Sequence, residues 1–498
     1  MNTESNAAAS PWTGELDPAR KYKLLIGGQF VDGAAGETFQ CEYPFTGEKW
    51  GAAPLATAAD VDRAVKAADT AFRSGWRYST PLQRATLLRK LAVLLRADAT
   101  ALGLLQVHEN GKLLSEMQGT GPGLAVLAEF MASLAETAYG YTSLSNVPNT
   151  TSYDVREPIG VVAAITPWNS PLSLLAWKLF PALAAGNTVV AKPSEVTPLS
   201  TLRFGELCTK AGFPDGVVNI VTGDAETGRA LVNHPLVSKI AFTGSTATGR
   251  AIASAAAARN VRLSLELGGK SPNIVFEDAD LERAAEGVVV GLFSSTGQSC
   301  ISGARILVQQ SISDAFLKKL SARVSALKLG DPLLAQTQIA PVATRAHLQK
   351  VLSYIDIARS EGAVTLVGGE RPSDPALARG FFVKPTLFTE VRNDFRIARE
   401  EVFGPIGAII RFKDEEEAVR IANDTDYGLA AGIWTSNVGR AHRLIPQIQA
   451  GTVWVNQYRT GDLARPFGGY KHSGVGRELG LNALAPYTEM KSVYIAHQ

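Results

Sequence analysis

The chain carries two kinds of apolar pattern, and each predicts a different element. Residues 81–97 set Leu87, Leu88, Leu91, Leu94 and Leu95 on one face at helical spacing, with Pro81 in the first turn. Residues 60–76 and 124–139 read as helices by the same spacing. Residues 23–30 hold Gly27-Gly28 between two apolar runs, which predicts a hairpin. Residues 150–157 alternate as an exposed strand does, and residues 490–496 alternate too, with no partner nearby in sequence.

Between Gly160 and Glu266 the pattern changes. Five short apolar runs, at 161–165, 188–192, 217–221, 239–243 and 262–266, predict strands buried on both faces. Helical segments at 171–184, 198–210, 226–233 and 247–257 separate them. That alternation predicts right-handed crossovers and a parallel sheet. Such sheets bind ligands at the carboxyl ends of their strands, and these runs end in polar or Gly-rich turns. A second α/β pattern starts near Ser271, with a strand at 273–276, a helix from Asp280 and a strand at 304–308, and runs to about Arg477.

A chain of 498 residues exceeds one compact core, so two or three domains are expected. Apolar residues make up 46% and charged residues 19%, an ordinary globular balance. The net charge of +2 calls for no nucleic-acid partner, and no apolar run approaches the roughly 20 residues of a membrane helix. Residues 1–20, rich in Ala, Ser and Pro with acids at Glu4, Glu15 and Asp17, read as a flexible leader rather than a targeting peptide. Cys41, Cys208 and Cys300 are too few and scattered for a disulfide framework or a metal site, which fits a reducing cytoplasm.

Cys300 follows the small-residue turn Ser295-Thr296-Gly297-Gln298-Ser299 between a helix and a strand. An isolated cysteine is usually a small buried apolar residue; in such a turn its thiolate could instead attack a carbonyl. Cys41 and Cys208 have no comparable setting. Glu266 ends an apolar strand before Gly268-Gly269, where a carboxylate is costly to bury without a partner. It fits a cap, a general base raised by burial, or a ribose-binding acid about 20 residues beyond a Gly-containing turn. That turn, Gly244-Ser245-Thr246-Ala247-Thr248-Gly249, lacks the G-x-G-x-x-G spacing, which makes Glu195 the rival ribose ligand. Lys192, Ser194 and Glu195 share one turn and could equally be solvated. Asn169 could donate to an oxyanion or cap the helix that starts at Pro171. The segments 400–405 and 466–471, dense in Gly, Pro and aromatics, also fit ordinary turns.

Taken in order, Thr166-Pro167-Trp168-Asn169, Lys192-Pro193-Ser194-Glu195, Phe242-Thr243-Gly244-Ser245, Glu266-Leu267-Gly268-Gly269-Lys270, Gly297-Gln298-Ser299-Cys300, Glu401-Val402-Phe403-Gly404-Pro405 and Pro466-Phe467-Gly468-Gly469 strongly resemble the aldehyde dehydrogenase superfamily. The resemblance runs from about Lys23 to the C-terminus. It implies an α/β fold of that kind: a parallel-sheet dinucleotide-binding domain (21–140 and 160–266), an α/β catalytic domain (267–477) and a β-flap for oligomerisation (141–159 and 478–498). It implies Cys300 as nucleophile, Glu266 as the base for deacylation and Asn169 with the Cys300 N–H as oxyanion hole. Lys178 and Glu478 match positions that help relay the proton. Lys192 and Glu195 match the adenosine-ribose contacts, Glu401 the nicotinamide-ribose contact and Phe403 the aromatic beside the nicotinamide. Gly244 and Ser245 match the start of the helix facing the pyrophosphate. Ile165, Thr166, Pro167, Trp168, Ser194, Gly228, Phe242, Thr243, Gly249, Leu267 and Gly268 complete the cofactor cleft.

The implied activity is oxidation of an aldehyde to a carboxylic acid through a thioester, with NAD as acceptor, NADP possible, no metal, and a homodimer or homotetramer as the assembly. By the same resemblance the aldehyde tunnel is lined by Ser170, Leu174, Trp177, Ile301, the loop 457–465 with Arg459 and Gly461, and Phe467. Many relatives carry aromatic residues where this chain has Ser170 and Gly461, so a cage for a quaternary ammonium is not expected. Medium aliphatic or aromatic aldehydes are favoured. Arg459, Asp462 and Arg465 are expected as solvated charge at the tunnel mouth, with Arg459 gripping the carboxylate of a semialdehyde as the alternative. A non-catalytic nucleotide-binding protein would be free to lose Cys300 or Glu266, and an enzyme passing its thioester to coenzyme A generally lacks the deacylating acid. Both residues are present.

Overall fold

The computed structural model describes residues 16, 17, 19–137 and 140–497. The expected leader lies almost wholly outside these residues, as do positions 138 and 139 of the third expected helix. The continuous apolar runs form the centre of an eight-stranded sheet. Its order is Gln29–Val31, Leu24–Ile26, Val218–Ile220, Thr188–Lys192, Val161–Ile165, Val237–Thr243, Arg262–Glu266 and Gly474–Val475. The five strands between residues 161 and 266 are parallel. The predicted hairpin caps one edge with antiparallel strands.

The other edge differs from expectation. Gly474–Val475, placed by the sequence in the second α/β unit, returns to the first sheet and pairs antiparallel with Leu265 and Glu266. The strand that ends at Glu266 is thereby flanked, not left as the open edge of the sheet, by a strand from far along the chain. A seven-stranded sheet runs Val364–Val367, Thr386–Thr389, Ile406–Phe412, Arg305–Gln309, Pro272–Val275, Ala430–Trp434 and Thr452–Val455, parallel except for Val364–Val367. The two alternating segments without local partners find each other. Thr488–Ala496 pairs antiparallel with Thr150–Pro158 over its full length, and Thr142–Leu144 adds a third strand.

The helices follow their end signals. Pro81–Ala97 starts with a capping box between Thr80 and Gln83. Pro171–Ala185 starts on Pro171 and stops at Gly186, whose φ of 94° closes the last turn. Among the described residues no single helix is long and apolar enough to cross a membrane. The helix pair Pro81–Ala97 and Ala99–Asn110 passes on length and composition together, but it is bent by 70° and its leucines Leu88, Leu91, Leu95, Leu102 and Leu105 lie in the core.

Candidate active site

The turn before Cys300 is built on left-handed backbone. Ser295, Thr296 and Gly297 have φ of 55°, 54° and 70°, and a non-glycine residue there costs roughly 1–2 kcal/mol. Tethers offset that cost. The Ser295 N–H donates to Glu116 Oε1 at 2.7 Å. The Thr296 hydroxyl donates to Ala340 O at 3.0 Å and accepts from Ala340 N at 3.2 Å. The Ala343 N–H donates to Gln298 Oε1 at 2.8 Å. Close packing does the rest: a Cβ on Gly297 would lie 2.2 Å from Gly404 O, and one on Gly269 would lie 2.2 Å from Cys300 O. No other residue fits under the cysteine.

Cys300 is partly buried, whereas Cys41 and Cys208 are fully buried. Burial pushes the Cys300 thiol up to about 12, with Glu401 and Glu266 adding to the rise and Arg459 and the Ile301 N–H opposing it. Glu401 and Glu266 are thus the carboxylates, and Arg459 the guanidinium, whose charge reaches the sulfur. Asn169 does not cap the following helix; Ser170 occupies that position. The Asn169 side-chain amide donates to Gln298 O at 3.1 Å, which orients it beside the Cys300 turn.

Glu266 is 3% exposed. Its Oε2 has no hydrogen-bond partner, and its Oε1 lies 2.8 Å from where a Cβ on Gly468 would be. Burial raises its pKa well above the ordinary carboxylate range. Glu478 raises it further, and Lys178 and Arg477 pull it back. Lys178 and Glu478, 300 positions apart, form a buried ion pair at 2.6 Å, and the same ammonium donates to Thr243 at 2.5 Å.

Other expected residues gather at the carboxyl ends of the first sheet. Ile165, Thr166, Phe242, Thr243 and Leu267 are buried there, and Pro167 and Trp168 follow at the rim. Lys192 is buried and donates to Pro193 O at 3.1 Å, with Gly228 against its stem. Glu195 is exposed beside Ser194. Ser245 caps the helix Thr246–Ala257, and Gly249 of that helix packs against Leu267. Glu401 accepts from the Gly269 N–H at 2.9 Å and lies against Gly268. Phe403 sits at φ 61°, its carbonyl 2.7 Å from His347 Nε2 and its ring edge-on to Trp168 at 5.3 Å. The Ser245-capped helix N-terminus is suited to a phosphate, and carboxylates such as Glu195 and Glu401 are suited to sugar hydroxyls, so the chemistry of this cleft fits a dinucleotide.

On the opposite side, Trp177 and Phe467 meet edge to face at 5.0 Å, Leu174 is buried, and Ile301 packs with Trp454 and Tyr458. A Cβ on Gly461 would meet nothing within 4 Å. Asp462 and Arg465 are exposed, as expected. Arg459 is not a solvated surface charge. It is partly buried in left-handed backbone at φ 66°, and its guanidinium donates to Ser294 O at 3.5 Å. Its neighbour Tyr458 donates to Ile301 O at 3.0 Å, which pins this loop to the Cys300 turn and draws Arg459 inward.

Lys112 was not foreseen. It is buried, donates to Ser170 at 3.2 Å, and is lowered by burial to about 8, with Glu116 and Cys300 opposing the drop and Arg459 adding to it. Lys112, Glu116 and Arg459 thus gather around the Cys300 turn, held to Ser170, Ser295 and Ser294 respectively. No local motif marks Lys112 or Glu116; they arrive through long-range packing.

Comparison with known proteins agrees with this geometry. The sequence pattern of the aldehyde dehydrogenase family matches residues 30–493. A Burkholderia cenocepacia protein classed as an aldehyde dehydrogenase superposes with a TM-score of 0.93 at 44% identity, over 95% of this chain and 97% of that one. A betaine aldehyde dehydrogenase from Staphylococcus aureus, solved with NAD+, gives 0.94 at 40% identity, over 95% and 94%. The NAD+ complex of an aldehyde dehydrogenase from Bacillus cereus gives 0.93 at 41%, over 96% and 97%.

Proposed function

The chain belongs to the aldehyde dehydrogenase family, and on that premise we propose that it oxidises an aldehyde to a carboxylic acid with NAD as acceptor, using Cys300 as nucleophile and Glu266 as base. The observation that supports this most is the convergence of Cys300, Asn169 and a buried, partnerless Glu266 carboxylate at the carboxyl ends of the first sheet.

Cys300 adds to the aldehyde carbon, and the Asn169 amide with the Cys300 N–H holds the oxygen that becomes charged. Losing one such donor costs roughly 3 kcal/mol in the transition state. NAD, when bound, supplies the hydride acceptor and a positive ring that counters the two carboxylates near the sulfur. Glu266 then takes a proton from the water that hydrolyses the thioester, and Lys178 and Glu478 receive it. Lys192, Ser194 and Glu195 hold the adenosine ribose, the Ser245-capped helix faces the pyrophosphate, and Glu401 holds the second ribose.

Glu195 sets the cofactor preference. Its exposed carboxylate would repel a 2′-phosphate, while Lys192 is turned inward to Pro193 O and offsets this only in part. NAD is expected to exceed NADP in kcat/KM by roughly tenfold, about 1.4 kcal/mol of repulsion. Glu195→Gln is expected to narrow the ratio. Equal values for both cofactors in the wild type would remove Glu195 from this role.

Medium aliphatic or aromatic aldehydes are the favoured substrates. The Staphylococcus aureus neighbour is named for a cationic aldehyde, but here Lys112 and Arg459 stand beside the sulfur and Gly461 offers no ring. Both features oppose a quaternary ammonium. The inward turn of Arg459 favours semialdehydes as the second reading, and Glu116 beside it weighs the other way. Hexanal or benzaldehyde is expected to exceed succinic semialdehyde and betaine aldehyde in kcat/KM. A succinic semialdehyde advantage that disappears in Arg459→Ala would reverse that order.

The strand Thr488–Ala496 is nine residues long and forms the outer edge of its sheet, with Met490, Tyr494 and Ile495 exposed. An edge of that length is a pairing surface, which supports a homo-oligomer built through it. The domain roles follow the same lines: cofactor on the eight-stranded sheet, nucleophile on the seven-stranded unit, assembly through the three-stranded flap.

A further inference from the structure

A polar stripe runs from Glu266 along the floor of the first sheet to its opposite end. Strands Val237–Thr243 and Arg262–Glu266 are parallel, with Lys239 beside Arg262, Ala241 beside Ser264 and Thr243 beside Glu266. Side chains alternate between the faces of a sheet, so Lys239, Thr243, Arg262, Ser264 and Glu266 share one face. The other face carries Ile240, Phe242 and Leu265 in an apolar cluster. At about 3.3 Å per residue, the stripe from Glu266 to Arg262 is about 13 Å long.

The Lys178 helix and the C-terminal segment cover it. At the site end lie the Lys178–Glu478 pair and Thr243. In the middle, Lys239 Nζ donates to Ser264 Oγ at 2.6 Å and stands 5.0 Å from the centre of the Tyr487 ring. At the far end Arg262 is ion-paired with Glu489, and both are well exposed. Three buried oxygens along the way, Glu266 Oε2, Glu478 Oε2 and Tyr487 Oη, have no hydrogen-bond partner.

Lys239 is 1% exposed and, among the described residues, has no carboxylate within ion-pair distance. Burying such a cation is expensive, and an apolar residue would stabilise the fold at least as well. Burial lowers the Lys239 ammonium to about 8; Glu478 opposes that drop, and Lys178 and Arg262 add to it. At that value the amine exchanges a proton near neutral pH, which an ordinary lysine or any arginine does not.

We propose that this stripe is the exit route for the proton that Glu266 takes up, with Lys239 and Ser264 passing it from the Glu478–Lys178 pair to solvent at Arg262 and Glu489. This rests on Glu266 being the base. In deacylation Glu266 removes one proton from water, the oxygen adds to the thioester carbon, the C–S bond breaks and the thiolate leaves. Glu266 returns to a carboxylate when its proton passes to Glu478 and Lys178. The neutral Lys239 amine takes up a proton from that pair and releases one toward Ser264 and the surface. One proton leaves by this route for each thioester hydrolysed, and neither the cofactor cleft nor the aldehyde tunnel is needed for it; the product acid gives up its own proton separately as it ionises in solvent.

Lys239→Met removes the amine, Lys239→Arg keeps the charge without an exchangeable proton, and Ser264→Ala removes the acceptor. Stopped-flow measurements would follow NADH absorbance and a pH indicator in weak buffer. The first-turnover NADH burst is expected to persist in all three variants. Proton release and kcat are expected to slow by about tenfold or more in both Lys239 variants, within what loss of one proton-transfer group costs. The solvent deuterium effect on kcat should rise with it. Wild-type proton release and kcat in Lys239→Arg would overturn the proposal, because charge and packing would then suffice. That variant decides the matter if Lys239→Met does not fold. Failure of the base assignment itself would show separately, as an absence of accumulated acyl-enzyme in Glu266→Gln.

Discussion

Cys300→Ala is expected to lose aldehyde oxidation by on the order of 10⁴-fold or more in kcat/KM, while NAD affinity stays near the wild-type value. The thiol is the atom that bonds to the substrate, and nothing nearby can replace it. Cys41 and Cys208 are buried in the core of the first sheet, where burial pushes both thiols far up. The fold should tolerate the change. The turn is held by Glu116, Ala340, Ala343 and Gly404 through Ser295, Thr296, Gln298 and Gly297, not through the sulfur. Loss of one sulfur atom costs about 1–2 kcal/mol. The nucleotide contacts proposed for Lys192, Glu195 and Ser245 lie on other elements. NADH absorbance during turnover and a separate NAD titration check the two halves. Retained turnover would falsify the nucleophile assignment.

Burial decides which elements are legible in the sequence. Strands such as Val161–Ile165 and Thr188–Lys192 are buried on both faces, so their apolar runs are continuous and bounded by turns. The helix Ala99–Asn110 escaped because it is buried nearly all round, with Leu102, Leu104, Leu105, Val107 and even Glu109 and Asn110 inside. No amphipathic face marks it. The hairpin Thr38–Tyr43 and Glu48–Pro54 is interrupted by a register shift at Cys41 and Glu42, which blurs its alternation.

The site shows the same division. Residues within one turn, such as Asn169 or Glu195, were legible because the turn follows a recognisable strand. The roles of Lys178 and Glu478 came only from resemblance, since no local signal predicts a contact across 300 positions. Lys112, Glu116, His347 and Lys350, the last donating to Glu401 O at 3.1 Å, reach the site from segments with no motif. His347 is lowered by burial to about 4, which keeps it neutral beside Phe403. Arg459 was misplaced for a related reason: exposure depends on the Tyr458–Ile301 contact, which is invisible in a loop read by composition.

Glu266→Gln carries the second large effect, an expected fall in kcat of about 10²–10⁴-fold, the range for loss of a general base. The amide has nearly the same shape, so acylation should continue and the first-turnover NADH burst should remain while acyl-enzyme accumulates. The pH dependence gives an independent check. Burial and Glu478 raise the Glu266 pKa, so the protonated form is favoured and the carboxylate needed for the base is lost as pH falls. In the wild type, kcat should therefore climb with pH through that raised value. The acylation burst should climb as well, because the Cys300 thiol is itself pushed up to about 12 before cofactor charge is added. In Glu266→Gln the kcat limb should flatten while the burst limb stays. If Glu266 instead held the ribose, the amide variant would bind NAD weakly and its acyl-enzyme would not accumulate. Glu266 is paired with Gly474 and feels the charge of Glu478, on a strand three positions across the sheet from the one that leads into the Glu195 turn, and that placement favours the deacylation defect.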